Sequence, residues 1–141
     1  MKRKASALWK GAGKTGKGYL TTPTKVLNDT PYSFTSRFEE GTGTNPEELI
    51  AAAHAGCFNM ALAFMLNEKG FEANTLETTA TVTMERKDNS WSVSHIALDL
   101  NADVAEIDNE TFENITQSAK TNCPVSKLLN TTIELNARLK S

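Results

Sequence analysis

Apolar and polar residues alternate in short stretches of the first forty positions. Residues 3 to 9 set Ala5, Ala7 and Trp9 against Lys4 and Ser6, a period of two that predicts a short strand. A glycine- and lysine-rich turn, Gly11 to Gly18, leads to a second strand around Tyr19 to Thr22. Asn28-Asp29-Thr30-Pro31 has turn chemistry, after which Tyr32, Phe34, Ser36 and Phe38 alternate with Ser33, Thr35 and Arg37, predicting a third strand. The first part of the chain therefore reads as a small meander.

The pattern then changes. Asn45 precedes Pro46 and lies three residues ahead of Glu48, which combines an N-cap, a proline at the first helical position and a capping-box carboxylate. From Ile50 to Leu66 only His54 and Asn59 are strongly polar. A helix this apolar around its circumference has to be buried on most sides, and Lys69-Gly70 supplies a basic last turn and a C′ glycine to end it. The interior His and Asn and the many Ala residues argue against a membrane span. Residues 76 to 87 and 91 to 104 alternate again around Lys87-Asp88-Asn89-Ser90, predicting a hairpin. Asp108-Asn109 opens a helix with Phe112, Ile115 and Ala119 on one face, ending near Asn122. Cys123-Pro124 opens a short third helix, and Ile133, Leu135, Ala137 and Leu139 close the chain as a strand. Strands and helices come in runs, so the fold class is α+β, and residues 1–141 are one domain.

Composition narrows the function. A hydrophobic share of 39% is lean for a small chain that must wrap an apolar helix alone, which predicts that a second subunit shares the helix. A net charge of −2 gives no positive field for nucleic acid or an anionic membrane surface. Two cysteines exclude a disulfide framework and a multi-cysteine zinc site. Met1-Lys2-Arg3-Lys4 is basic, but no apolar run follows it, so a cytoplasmic setting with free thiols is expected.

Gly11 to Lys17 nearly matches a phosphate loop, yet Gly18 stands where Ser or Thr would hold magnesium, and the following segment is a strand rather than a helix. A hairpin turn is the better reading. His54 and Cys57 share a helix face and, with His95 and Cys123, could be assembled into a Cys2His2 set, but the spacing fits no compact zinc pattern and no metal is expected. The thiols remain. Buried inert cysteine is their ordinary state. Local electrostatics nominate Cys123 as the reactive one, because an N-cap cysteine faces unpaired N–H groups that stabilise a thiolate, whereas apolar burial raises the pKa of a mid-helix cysteine such as Cys57.

The run Thr44-Asn45-Pro46-Glu47-Glu48-Leu49-Ile50-Ala51-Ala52-Ala53-His54-Ala55-Gly56-Cys57-Phe58, with Cys123-Pro124-Val125-Ser126 and Tyr32-Ser33-Phe34-Thr35-Ser36-Arg37-Phe38, resembles the OsmC/Ohr family of thiol-dependent organic hydroperoxide reductases. The resemblance runs nearly end to end and favours the OsmC branch, whose arginine lies shortly before the Asn-Pro-Glu-Glu helix; near the N-terminus, where the Ohr branch carries its arginine, this chain offers only Lys14 and Lys17. It implies antiparallel strands around a long buried central helix in an intertwined homodimer. It also reverses the nomination: Cys57 becomes the peroxidatic thiol and Cys123 the resolving one, while Arg37 and Glu47 hold the thiolate and orient the peroxide. A lipoyl-type dithiol is the implied reductant, with no cofactor, no metal and a role in oxidative or osmotic stress defence.

Physical chemistry sets limits on that assignment. An unperturbed thiol of pKa ~8.5 is only about 3% ionised at pH 7, so complete ionisation supplies at most ~30-fold, or about 2 kcal/mol. Stabilising the departing alkoxide is a second task, suited to a guanidinium fixed by a carboxylate. Taken alone, Arg37 reads as a solvated strand residue and Glu47 as a first-turn carboxylate. Glu47 and Cys57 are ten residues apart, about 15 Å on a continuous helix. The helix is broken between them, or the Arg37 side chain spans part of the gap, or a partner subunit supplies one of them. Arg37 alternates away from Phe34 and Phe38, which predicts a composite site at a dimer interface. A Cys57–Cys123 disulfide needs Cα atoms within ~7 Å. Phe34, Phe38, Phe58, Met60 and Phe64 are candidates for an apolar peroxide pocket. The alternative is a non-enzymatic stress protein that binds a lipid-like ligand in an apolar groove.

Overall fold

The early alternation folds largely as expected. In the computed structural model, which describes residues 1–140, Ser6–Lys10 (β1) pairs antiparallel with Lys17–Thr21 (β2), and β2 pairs antiparallel with Thr30–Tyr32 (β3). The glycine-rich segment is the β1–β2 turn, with Lys10 opposite Lys17. Gly18 answers a packing demand, since a Cβ there would overlap the rings of Tyr32 and Trp9, whose centroids lie 5.5 Å apart.

The expected third strand stops early. Only Thr30–Tyr32 is extended, and Phe34–Phe38 forms a helical turn, α1. The reason is a capping box: Ser36 N–H donates to Ser33 Oγ at 3.2 Å, and Ser33 N–H donates to Ser36 Oγ at 2.8 Å. Phe34 and Phe38, spaced by four, then stack at 5.0 Å on one helical face. Arg37 is thus on the last turn of a helix, not on the polar face of a strand.

The long helix α2 runs unbroken over Pro46–Glu68, which excludes a break between Glu47 and Cys57. Glu48 N–H donates to Asn45 Oδ1 at 2.8 Å, the expected N-cap, while the Glu48 carboxylate accepts from Thr44 Oγ1 at 2.7 Å. At the other end Gly70 has φ +84°, and Phe71 N–H and Gly70 N–H reach back to the carbonyls of Leu66 and Asn67.

The chain forms two compact units, residues 1–49 and residues from Ile50 on. The first holds β1 to β3 and α1. In the second, Ala73–Lys87 (β4) and Ser90–Val104 (β5) form the predicted hairpin, and positive φ at both Asp88 and Asn89 gives the tight turn that a right-twisted hairpin requires. Asn109–Asn122 (α3) and Pro124–Leu128 (α4) follow, and Thr132–Leu139 (β6) lies parallel to β5. That parallel pairing departs from the antiparallel expectation. Its cause is the helical crossover between the two strands, which carries the chain back to the starting edge.

The core of this unit packs Phe58, Leu62 and Leu66 of α2 with Ile96, Leu98 and Leu100 of β5 and Phe112, Ile115 and Ala119 of α3. Helix α2 is not buried on most sides within the chain. One stripe, His54, Phe58, Leu62 and Leu66, is inside, whereas Met60 and Phe64 are 64% and 66% exposed. By length and composition α2 could cross a membrane, and the buried stripe is the part of it that packs into the core. Truncating the fully buried ring in Phe58→Ala should destabilise the protein by about 3–5 kcal/mol in urea unfolding. A loss below about 1 kcal/mol would mean that the stripe is not the core.

Candidate active site

Two of the four candidate residues meet in the second unit. Cys57, half-buried on α2, has a side-chain hydrogen bond with Cys123, which is fully buried at the start of α4. Burial pushes the Cys57 thiol above its ordinary pKa, and the neighbouring Cys123 adds to the rise by its hydrogen bond and its charge. The backbone N–H of Val125 works in the opposite direction by hydrogen-bonding to Cys57.

The local nomination of Cys123 rested on its place at the start of α4. That residue does occupy the N-cap position of α4, but its side chain makes no capping hydrogen bond. An N–H of the first turn is directed at Cys57 instead. The two also differ in access, Cys57 being partly exposed and Cys123 fully buried.

The other two residues pair in the first unit. Arg37 Nη2 donates to Glu47 Oε1 at 2.7 Å, and Arg37 Nε lies 3.2 Å from both carboxylate oxygens. Arg37 also sits over the Phe38 ring, 5.2 Å from its centroid. The geometry follows from the two helix starts: Asn45, which caps α2, donates through Nδ2 to the Ser36 carbonyl at 3.0 Å and so ties α1 to the first turn that carries Glu47. Arg37, Phe34 and Phe38 line a small cleft of about 120 Å³ with Trp9, Tyr32 and Pro46. Of the remaining apolar candidates, Phe58 is core, and Met60 and Phe64 are exposed on α2. Among the described residues, no group of three or more His, Cys, Asp or Glu side chains is placed to hold a metal ion.

Known proteins share this arrangement of sequence and fold. Residues 39–138 match the family of OsmC-like proteins. The chain is 48% identical to peroxiredoxin OsmC of Escherichia coli K12 over 139 residues, covering 99% of this chain and 97% of the relative. The chain belongs to the OsmC family. It is also 30% identical to the organic hydroperoxide resistance protein OhrB of Bacillus subtilis over 123 residues, 87% of this chain and 89% of that one. The crystal structure of that OhrB superposes with a TM-score of 0.72 at 26% identity, covering 96% of this chain and 98% of the other. The family and its α+β fold thus agree with what the motifs around Cys57 imply.

In this OsmC-family chain, two further residues stand beside the thiols. His54, one turn before Cys57, is completely buried, and its Nε2 lies 2.8 Å from Oγ of Ser126, three residues after Cys123. The sequence offered only a weak signal for the pair: a His and a Ser displaced from the two cysteines by the same three-residue step, in opposite directions. Val125 carried no signal at all, since it acts through its backbone.

Burial holds the His54 imidazole below its ordinary pKa of 6.5. The folded state therefore binds fewer protons than the unfolded one in the window just below pH 6.5. This contribution to stability is complete above pH 6.5 and is lost as pH falls through the folded-state pKa. Asp108, whose carboxyl is held below 3.8 chiefly by Thr111 N–H, acts only at lower pH. Melting curves between pH 7.5 and pH 5.5 should accordingly show a falling Tm for the wild type and a flatter profile for His54→Gln. Parallel profiles would place the acid sensitivity elsewhere.

Proposed function

We propose that this chain is a thiol peroxidase that reduces organic hydroperoxides to alcohols. The thiol pair carries the reading: a partly exposed Cys57 supplied with one backbone N–H, and a buried Cys123 in hydrogen-bond contact with it. Cys57 thiolate attacks the distal peroxide oxygen; the O–O bond breaks, the alkoxide leaves and takes a proton as the alcohol, and Cys57 becomes a sulfenic acid. Cys123 then attacks that sulfur, the S–S bond forms, and the hydroxyl departs as water. Thiol exchange with an external dithiol, of lipoyl type by family resemblance, returns both cysteines to the reduced state.

With its pKa raised, the Cys57 thiolate would be favoured by a nearby cation. The Arg37–Glu47 pair fills that role, since a guanidinium remains charged and its carboxylate fixes its orientation. An unbroken helix puts about 15 Å of rise between Glu47 and Cys57. The reading takes the protein as a homodimer in which Arg37 and Glu47 of one protomer complete the Cys57 site of the other, with the exposed Met60 and Phe64 face of α2 buried between them. The aromatic cleft beside Arg37 suits an organic peroxide. A cytoplasmic role in oxidative or osmotic stress defence fits free thiols that must be re-reduced.

Anaerobically reduced protein given one equivalent of cumene hydroperoxide should yield a Cys57–Cys123 disulfide by mass spectrometry, and Cys123→Ser should trap a Cys57 sulfenic acid. Unmodified thiols would leave the chain as a binder of lipid-like ligands. Arg37→Ala should lose roughly 10²–10³-fold in peroxide reduction. Mixing Arg37→Ala with Cys57→Ser subunits should restore activity through hybrid dimers, because one site then has both residues; no recovery would refute the shared site.

A further inference from the structure

Helix α4 is five residues long, too short to hold itself in place, yet it presents both Cys123 and the Val125 N–H to Cys57. One of its ties to α2 is a side-chain bond. His54 and Ser126 are 0% and 8% exposed and meet at 2.8 Å. His54 Nδ1 is buried without a partner among the described residues. The hydrogen bond between His54 Nε2 and Ser126 Oγ is therefore the ring's polar contact. The ring is then held by that single bond, one helical turn from Cys57, while its partner lies one turn from Cys123.

We infer that His54 and Ser126 form a positioning clamp that holds Cys123 against Cys57 and thereby sets the rate of disulfide closure relative to over-oxidation of Cys57. The inference rests on the peroxidase reading above. The Cys57 sulfenic acid has two fates. Cys123 attacks its sulfur, forming S–S, breaking S–O and releasing water; or a second hydroperoxide transfers an oxygen atom to it, giving a sulfinic acid and another molecule of alcohol. Both branches leave from one intermediate, so their ratio reports the placement of Cys123 and is insensitive to how fast the sulfenic acid forms. Neither His54 nor Ser126 touches a reacting atom.

The experiment treats reduced wild type, Ser126→Ala, His54→Gln and the double variant with graded cumene hydroperoxide and quantifies disulfide and Cys57 sulfinic acid by mass spectrometry. Each single variant should reach half-maximal sulfinic acid at about tenfold lower peroxide than wild type, as expected for a reacting group displaced by a fraction of an ångström to an ångström. The double variant should be no worse than the more affected single, since one bond is lost in every case. Ser126→Ala removes a single oxygen, and circular dichroism checks that each variant is folded; a misfolded fraction would lower both products without moving the midpoint. Midpoints within twofold of wild type in both singles, or additive losses in the double, would overturn the clamp. A wild type that forms neither disulfide nor sulfinic acid would instead overturn the peroxidase reading.

Discussion

The buried stripe of α2 is the constraint from which the site follows. His54, Phe58, Leu62 and Leu66 recur every four residues and lock the rotation of the helix against β5 and α3. Once that rotation is set, Cys57 has no freedom of its own: it stands between His54 and Phe58 at the margin of the stripe, half-buried. One step further into the core would seal the thiol from any dissolved peroxide, and one step outward would expose it to solvent, away from Cys123. The same stripe leaves Met60 and Phe64 on the outer face, so core packing, thiol exposure and the unburied apolar surface are one decision.

Electrostatics then distinguishes the surroundings of Cys57. Burial raises the cost of ionising Cys57, and the neighbouring Cys123 adds to it. The fold offers one N–H in compensation and sends it to the exposed member. That is too little for a strong nucleophile, and within the proposed cycle the deficit is what gives the Arg37–Glu47 pair its purpose. Its stacking on Phe38 and its carboxylate partner restrict the guanidinium before any substrate arrives, which is the condition under which charge stabilisation is most effective.

Local chemistry was legible in the sequence, and the choice between local and tertiary partners was not. The start of α2 could be read because Asn45, Pro46 and Glu48 act within one turn, and the β4–β5 hairpin because Asp88-Asn89 can adopt two positive φ values in succession. The strand expected through Phe38 failed because alternation over Tyr32, Phe34, Ser36 and Phe38 also contains the four-residue helical spacing, and the Ser33–Ser36 capping box decided in favour of helix. The parallel β6 was missed because strand periodicity carries no direction. At the site, helix capping located the polar end of α4 correctly but could not tell which thiol would receive its N–H. Only the three-dimensional approach of α4 to α2 directs the Val125 N–H to Cys57.

Pre-alignment of the thiols also bears on what can reset them. In the unfolded chain, closing the roughly 66-residue loop between Cys57 and Cys123 costs about 4 kcal/mol of chain entropy in the loop-closure description. The folded protein has already met that cost through its core, so the thiols behave as near neighbours with a high effective concentration. A disulfide formed from such a pair is correspondingly hard to reduce. A monothiol would leave a mixed disulfide that the adjacent partner thiol displaces at once, returning the oxidised protein. A dithiol escapes this because its second sulfur competes intramolecularly on equal terms. The contact that makes closure efficient thus argues, within the proposed cycle, for a dithiol reductant on chemical grounds that are independent of family resemblance.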